Sequence, residues 1–411
     1  MTTLRIARRN LGRNFRRTFL GLFAITLAQA GVLLMDGLMN GYTDAMVDAF
    51  TGPMLGHVQV HAHDYREQQS MDLTITHLGD KLSQLRGLPE APEASARIYA
   101  PVLVALGEQG FMGVVVGLQP KREAGARGLL GTRPELTNLR SDQVLIGKSL
   151  AHRMNVKEGD ELAIVGQAAD GSIANDLYEV AGLLPSPVEL VESTGLIMTL
   201  PAAQSLFVMD DEAHEITLHG ADPDGAPHLA ASVGGLPSFG ELEIKRWDEL
   251  APELTSMLQM TSGFTWILLL LVFVAAAAGV ANTMLMAAFE RNHELGMLLA
   301  LGCSPQRIVG MLTLEALLLG ALGAGLGTTL GIAGNALLAS SGVDFAGLGG
   351  AGNELQNLSL AGMNFGVVVF PRTSFQTVAS GLSAVIVTSL LASLWPALHA
   401  ATLQPVEAMR A

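Results

Sequence analysis

Three clusters in this chain have residue types and spacings that chemistry uses. Gly147-Lys148-Ser149 ends the stretch DQVLIGKS as a phosphate-binding loop would end. Asp142 stands where such a loop needs its leading glycine, whose permissive backbone lets amide groups cradle phosphate, so the stretch reads as a decoy. His57, His61 and His63 are separated by even numbers and would share one face of an extended strand, which makes a metal site conceivable. Spacing pins down no fourth ligand, so polar residues on a solvated sheet face are the preferred reading. Cys303 is the sole cysteine, which excludes an intrachain disulfide and a cysteine-rich zinc site. No Ser/His/Asp or Cys/His set can be assembled by spacing. The chain is therefore read as non-catalytic, with no metal and no cofactor of its own.

The most informative cluster is Glu290-Arg291-Asn292-His293-Glu294-Leu295-Gly296-Met297, which runs on to Gly302 and is followed by Cys303-Ser304-Pro305. The pattern predicts a short amphipathic helix from Glu290, ended by Gly302 as a left-handed cap. Ser304 and Pro305 then serve as N-cap and first residue of the next helix. The expected product is a compact helical knob between two long apolar helices. In the second of these, Gly323, Gly327 and Gly331 recur every four residues and suit close approach of a neighbouring helix. Glu315 in the same helix is costly in lipid and calls for a polar partner, a subunit interface or a solvated helix end.

The elements that must position these residues are set by hydropathy. Of 411 residues 49% are hydrophobic and 15% charged, and the mean hydropathy is +0.39, which disfavours a purely soluble enzyme. Four apolar stretches are long enough to cross a bilayer: 18–39, 264–286, 308–338 and 377–398. Ala28-Gln29-Ala30 resembles a signal-peptide cleavage site, but the apolar run continues through Met35 and is read as a retained anchor. Six arginines and no acid in residues 1–17 predict a cytoplasmic N-terminus. Residues 40–262 are then extracytoplasmic, 287–307 a cytoplasmic loop, 340–376 a short outside loop and 399–411 a cytoplasmic tail. Leu4, Ala7, Leu11 and Phe15 also suit an amphipathic helix over 1–17.

The overall charge is −14, and residues 41–262 hold 14 basic and 31 acidic side chains, which argues against a nucleic-acid partner. Strand-like runs at 57–61, 102–106, 112–117, 162–165 and 178–184, with helical segments at 148–154 and 201–207, predict an α+β domain in two lobes. The fold class is thus a four-helix membrane protein with a large α+β domain inserted between its first and second spans.

Three fragments in order resemble the permease family of MacB-type exporters, lipoprotein-releasing permeases and FtsX-like proteins. They are Ile6-Ala7-Arg8-Arg9-Asn10-Leu11 with Arg16-Arg17-Thr18, the loop ERNHELGMLLALGCSPQRI, and Trp395-Pro396-Ala397 followed by Leu403 to Arg410. Residues 144–162 resemble the MacB-like periplasmic core, and Met39-Asn40-Gly41-Tyr42 points toward the lipoprotein-releasing branch. The resemblance implies a bacterial inner-membrane ABC permease that relays motion from a separate ATPase, present in two copies and carrying the ATP and Mg. It implies a second permease subunit, identical or paralogous, and a coupling contact made by Glu290, Arg291, Glu294, Leu295, Gly296 and Met297. A periplasmic carrier or adaptor is a further expected partner class, although Gln167 to Asn175 lacks the proline and basic residues of a chaperone-docking hairpin. The expected cargo is a lipoprotein, lipid-like molecule or peptide. The alternative is an FtsX-like signalling permease that activates a cell-wall hydrolase.

Overall fold

The computed structural model describes residues 15–89, 93–125, 127–344, 359–360, 363–364 and 368–402. The helix expected over 1–17 and the Leu403–Arg410 fragment fall almost wholly outside the described residues. The chain divides into two compact units, one holding residues 1–44, 258–345 and 368–411, the other 45–257 and 346–367.

The first unit is built on helices α1 (Phe15–Phe50), α2 (Pro252–Glu290), α4 (Pro305–Ser341) and α5 (Phe375–Ala401), with the short α3 (Asn292–Ala300) between α2 and α4. Among the described residues four helices are long and apolar enough to cross a membrane. Their outer faces carry side chains such as Phe23, Leu270, Leu326 and Leu391, which water would penalise and lipid would accept. Two helices run well beyond the apolar segments read from the sequence. α1 continues from Met39 to Phe50, and α2 begins at Pro252 rather than at Phe264. Polar residues such as Asp44, Asp48 and Glu253 lowered hydropathy there without breaking the helix, because none is a strong helix breaker.

The second unit is organised by one long strand. β2 (Glu93–Leu106) pairs over its first half with β8 (Glu215–His219), which continues to β1 (Val58–Ala62) and β9 (Leu242–Arg246). Over its second half β2 pairs with β3 (Gln109–Leu118) and β5 (Glu161–Gln167). These join through β7 (Gly195–Thr199), β4 (Gln143–Gly147) and β6 (Ile173–Leu184), closing a six-stranded ring. A four-stranded sheet and a closed barrel thus share β2, and one apolar core containing Val60, Ile98, Val104, Ile164, Phe207 and Ile216 runs through both. Closure removes the ring's open edges. The five strand-like runs read from sequence correspond to β1, β2, β3, β5 and β6, and the helical segments to Lys148–Met154 and Leu200–Leu206.

Candidate functional site

The sequence between α2 and α4 folds into a knob whose every turn has a local cause. After Glu290 the chain bends at Arg291, whose carbonyl accepts from the Leu295 amide (2.8 Å) as α3 starts. At the other end Gly302 adopts φ +84°, a conformation that favours glycine. The Gly302 amide donates to the Leu299 carbonyl and the Cys303 amide to the Leu298 carbonyl, both at 3.0 Å, which is a Schellman closure. Ser304 stands at the N-cap of α4 with Pro305 at its first position.

The knob is anchored from within. Leu295 is 1% exposed and packs with Ala288, Ile308, Leu312, Ala397 and Ala400, so α3 sits on the ends of α2, α4 and α5. Arg291 Nη1 donates to Glu315 Oε2 at 3.0 Å, with side-chain exposures of 3% and 1%. This answers the polar partner that Glu315 requires: of the three settings open to it in the sequence, the structure shows a cation from the knob, ten residues into α4. The six residues expected at the coupling contact divide into two sets. Glu290, Glu294 and Met297 are exposed, Met297 by 45%, whereas Arg291, Leu295 and Gly296 face the helix ends. Amphipathic spacing alone left the phase of so short a helix open.

The three glycines of α4 all face α1. A Cβ on Gly323 would come within 2.7 Å of Ile25 Cγ2, on Gly327 within 2.6 Å of the Thr26 carbonyl, and on Gly331 within 2.8 Å of Leu33 Cβ. Hydrogen bonds accompany this seam: Thr26 Oγ1 donates to the Gly323 carbonyl (3.3 Å), Gln29 Nε2 to Thr328 Oγ1 (3.3 Å) and Asn335 Nδ2 to the Leu33 carbonyl (2.9 Å).

In the α+β domain one expectation is overturned. His57 and His61 do not lie on a solvated face: both are buried, because β1 lies between β8 and β9 and is covered on both sides. Burial lowers the basicity of His57, helped by His219, to a pKa of about 4. Burial takes His61 to about 3. His57 Nδ1 accepts from the Gly220 amide (3.0 Å), and His61 Nε2 bonds Gln59 Oε1 (3.0 Å). His63 has left the strand and pairs with Asp64 at 2.9 Å on the surface. Among the described residues no three His, Cys, Asp or Glu converge as metal ligands. At Gly147-Lys148-Ser149, β4 passes directly into a seven-residue helix without a loop to wrap phosphate, and Ser149 Oγ donates to Glu192 Oε1 (3.0 Å).

Sequence reading missed a buried polar network behind the histidines. Arg97 is fully buried and bidentate on Glu123 (Nε–Oε1 2.8 Å, Nη2–Oε2 2.8 Å), and its Nη1 stands 3.7 Å from Glu215 Oε1. Its members lie 26 and 118 positions apart in an acidic domain, so no local spacing could have found them.

Four apolar helices, an α+β domain inserted after the first, and a knob braced by a buried ion pair define a membrane permease subunit. Family comparison agrees. The FtsX-like permease C-terminal model matches residues 266–405, and the MacB-like periplasmic core domain model matches 18–235, more than half of the chain. The chain belongs to the ABC transporter permease family of the MacB and FtsX type. It is 23% identical to the lipoprotein-releasing system transmembrane protein LolC of Neisseria meningitidis over 65% of this chain and 64% of that protein. With the protein of the same description from Xylella fastidiosa (strain Temecula1) it shares 22% identity over 99% and 96%. The crystal structure of the periplasmic region of MacB from Actinobacillus actinomycetemcomitans covers 48% of this chain and 92% of its own, at 12% identity and a TM-score of 0.34. At that score the structural likeness adds nothing to the family assignment.

Proposed function

We propose that this chain is a non-catalytic permease subunit of a bacterial inner-membrane ABC transporter that works by relaying motion. ATP is hydrolysed by two copies of a separate cytoplasmic ATPase, which dock on the knob formed by α3. The force passes through long helices to the α+β domain in the periplasm, where it extracts or exports a lipoprotein, lipid-like molecule or peptide. Both termini are cytoplasmic, and a second permease, identical or paralogous, completes the assembly. A lipoprotein cargo is favoured because relatives aligned over most of their length are described as lipoprotein-releasing.

One observation carries the reading. The knob presents Glu290, Glu294 and Met297 outward while the Arg291–Glu315 pair ties it to α4 from inside. A docking element that must transmit force needs an exposed face for its partner and a stiff attachment behind it. A surface loop without that role needs no buried ion pair, whose desolvation is costly.

The test is co-purification with the candidate ATPase, followed by ATPase assays of wild type and Glu294→Lys. Charge reversal on the exposed face should weaken association about tenfold or more and lower permease-dependent turnover. Unchanged association and turnover would remove the docking assignment. Labelling that reached residues 45–257 only from the cytosol would end the whole reading.

A further inference from the structure

We propose that the cavity between the two sheets of the α+β domain binds a ligand carrying an ammonium group on an apolar body, with Glu215 as its counter-ion. This inference concerns the domain alone and does not depend on the ATPase or on the nature of the cargo.

The cavity exists because β2 changes partners. Near Tyr99, Ala100 and Pro101 the strand leaves β8 and the four-stranded sheet and enters the barrel, and the sheets part around a space of about 320 Å³. That volume lies at the lower end of small-ligand sites, which favour such junctions. Leu55, Pro101, Val114 and Leu190 form an apolar wall, and Glu215, Tyr99 and Gln59 supply the polar side.

The charge inventory of the wall and of the buried network behind it identifies the ligand. Two buried carboxyls, Glu123 and Glu215, stand beside one buried guanidinium. Arg97 is committed to Glu123 through two bonds of 2.8 Å, and Glu123 is further held by Ser95 Oγ (2.7 Å) and the Leu129 amide (3.1 Å). Arg97 Nη1 donates to the Met54 carbonyl (2.8 Å) and approaches Glu215 only to 3.7 Å. Glu215, 4% exposed, accepts from the Tyr99 hydroxyl (3.3 Å) on Oε1, and among the described residues no group hydrogen-bonds Oε2. It is the surplus carboxyl of the network, and it lines the cavity.

The remaining titratable neighbours do not supply a compensating charge inside. His61 and His214 are held neutral by burial, and burial pushes the Tyr65 and Tyr99 hydroxyls upward. Arg66, on the helix Tyr65–Gln68, is exposed at the cavity lining, where water screens it. Burial therefore dominates at Glu215 and, despite Arg97 and Arg66, raises its pKa to about 7. An anion entering the cavity would meet Glu215, the one carboxyl among its lining residues. An alcohol would leave the carboxyl protonated and gain little. An ammonium supplies the missing positive charge, and the apolar wall receives the body attached to it.

The full-length protein in lipid nanodiscs is titrated calorimetrically with 2-phenylethylamine, which is protonated throughout the range used, and heats from empty nanodiscs are subtracted. Saturable binding is expected at pH 8. Ionising Glu215 at pH 6 should make it about tenfold weaker and release about one proton, read by comparing buffers of different ionisation enthalpy. Glu215→Gln should lose about tenfold at pH 8 and all pH dependence. Val114→Trp, which fills the cavity, should abolish binding. 2-Phenylethanol, the same body without charge, should not saturate the site. No saturable binding by wild type, equal binding of the alcohol, or absence of proton release at pH 6 would overturn the proposal. These three readouts use the wild-type chain and stand even if a variant fails to fold.

Discussion

Arg291 Nη1 lies 3.0 Å from Glu315 Oε2, joining the turn before α3 to the third turn of α4 across 24 residues of chain. Neither charge would be tolerated alone in this setting, so each residue requires the other. The pair ties the start of the knob to α4 from inside.

Breaking that pair on one side should be costly. Glu315→Gln and Arg291→Met should each lower stability by about 3–5 kcal/mol, because the surviving partner is left buried with its charge uncompensated. Thermal unfolding in detergent reads the loss. The exchanged double variant Arg291→Glu with Glu315→Arg should recover part of it, with a coupling above about 1 kcal/mol. Strict additivity of the two single changes would show that the bond carries no load.

The two faces of α3 should behave differently. Leu295→Ala removes a side chain packed at the helix ends and should cost about 2–5 kcal/mol of stability. Met297→Asp changes an exposed residue and should leave the unfolding midpoint within about a degree while weakening capture of the ATPase. Equal effects of both on stability would contradict the placement of α3.

At the α1–α4 seam, size is the constraint. Gly327→Leu places atoms where a Cβ is already 2.6 Å from the Thr26 carbonyl, and backbone cannot yield as a side-chain tip can. About 1–3 kcal/mol or more of destabilisation is expected. Gly325→Leu, whose Cβ meets nothing within 4 Å, is the control and should be near neutral. Unfolding of both variants in one detergent decides the matter.

Acid should loosen the α+β domain around β1 and β8. His57 and His61 have folded-state pKa values lowered to about 4 and about 3, while an unfolded histidine titrates near 6.5. Between those limits the unfolded chain binds more protons, so stability is fully present above about pH 6.5 and falls as pH drops. Each histidine contributes a slope of about 1.4 kcal/mol per pH unit. Glu215, raised to about 7, works in the opposite direction over part of the window, since its folded form holds a proton that the unfolded chain gives up above about pH 4.5. His214 and His219 are also lowered by burial, so four histidines oppose one carboxyl. Hydrogen exchange of the amides in 58–62 and 215–219 should quicken from pH 7 to pH 5 after correction for intrinsic rates. His61→Gln should flatten that response, and protection independent of pH would refute the assignment.

Hydropathy determined the four apolar helices, because a bilayer core demands about 20 consecutive apolar residues and such runs are unmistakable along a chain. The glycine spacing in α4, the cap at Gly302 and the proline after Ser304 were equally legible, since each acts through its own backbone or its immediate neighbours. Tertiary structure decided the rest. Only packing shows that Arg291 turns inward to Glu315 while Glu294 turns outward, because a nine-residue helix has too few turns for its pattern to set its phase. Only strand order buries His57 and His61, since whether a face of β1 meets water depends on the neighbours β8 and β9, which lie over 150 residues away in sequence. The network of Arg97, Glu123 and Glu215 depends in the same way on β2 crossing from one sheet to another. Charges that look like surface decoration in sequence acquire partners when distant strands meet, and the energy of a buried charge is set by those partners.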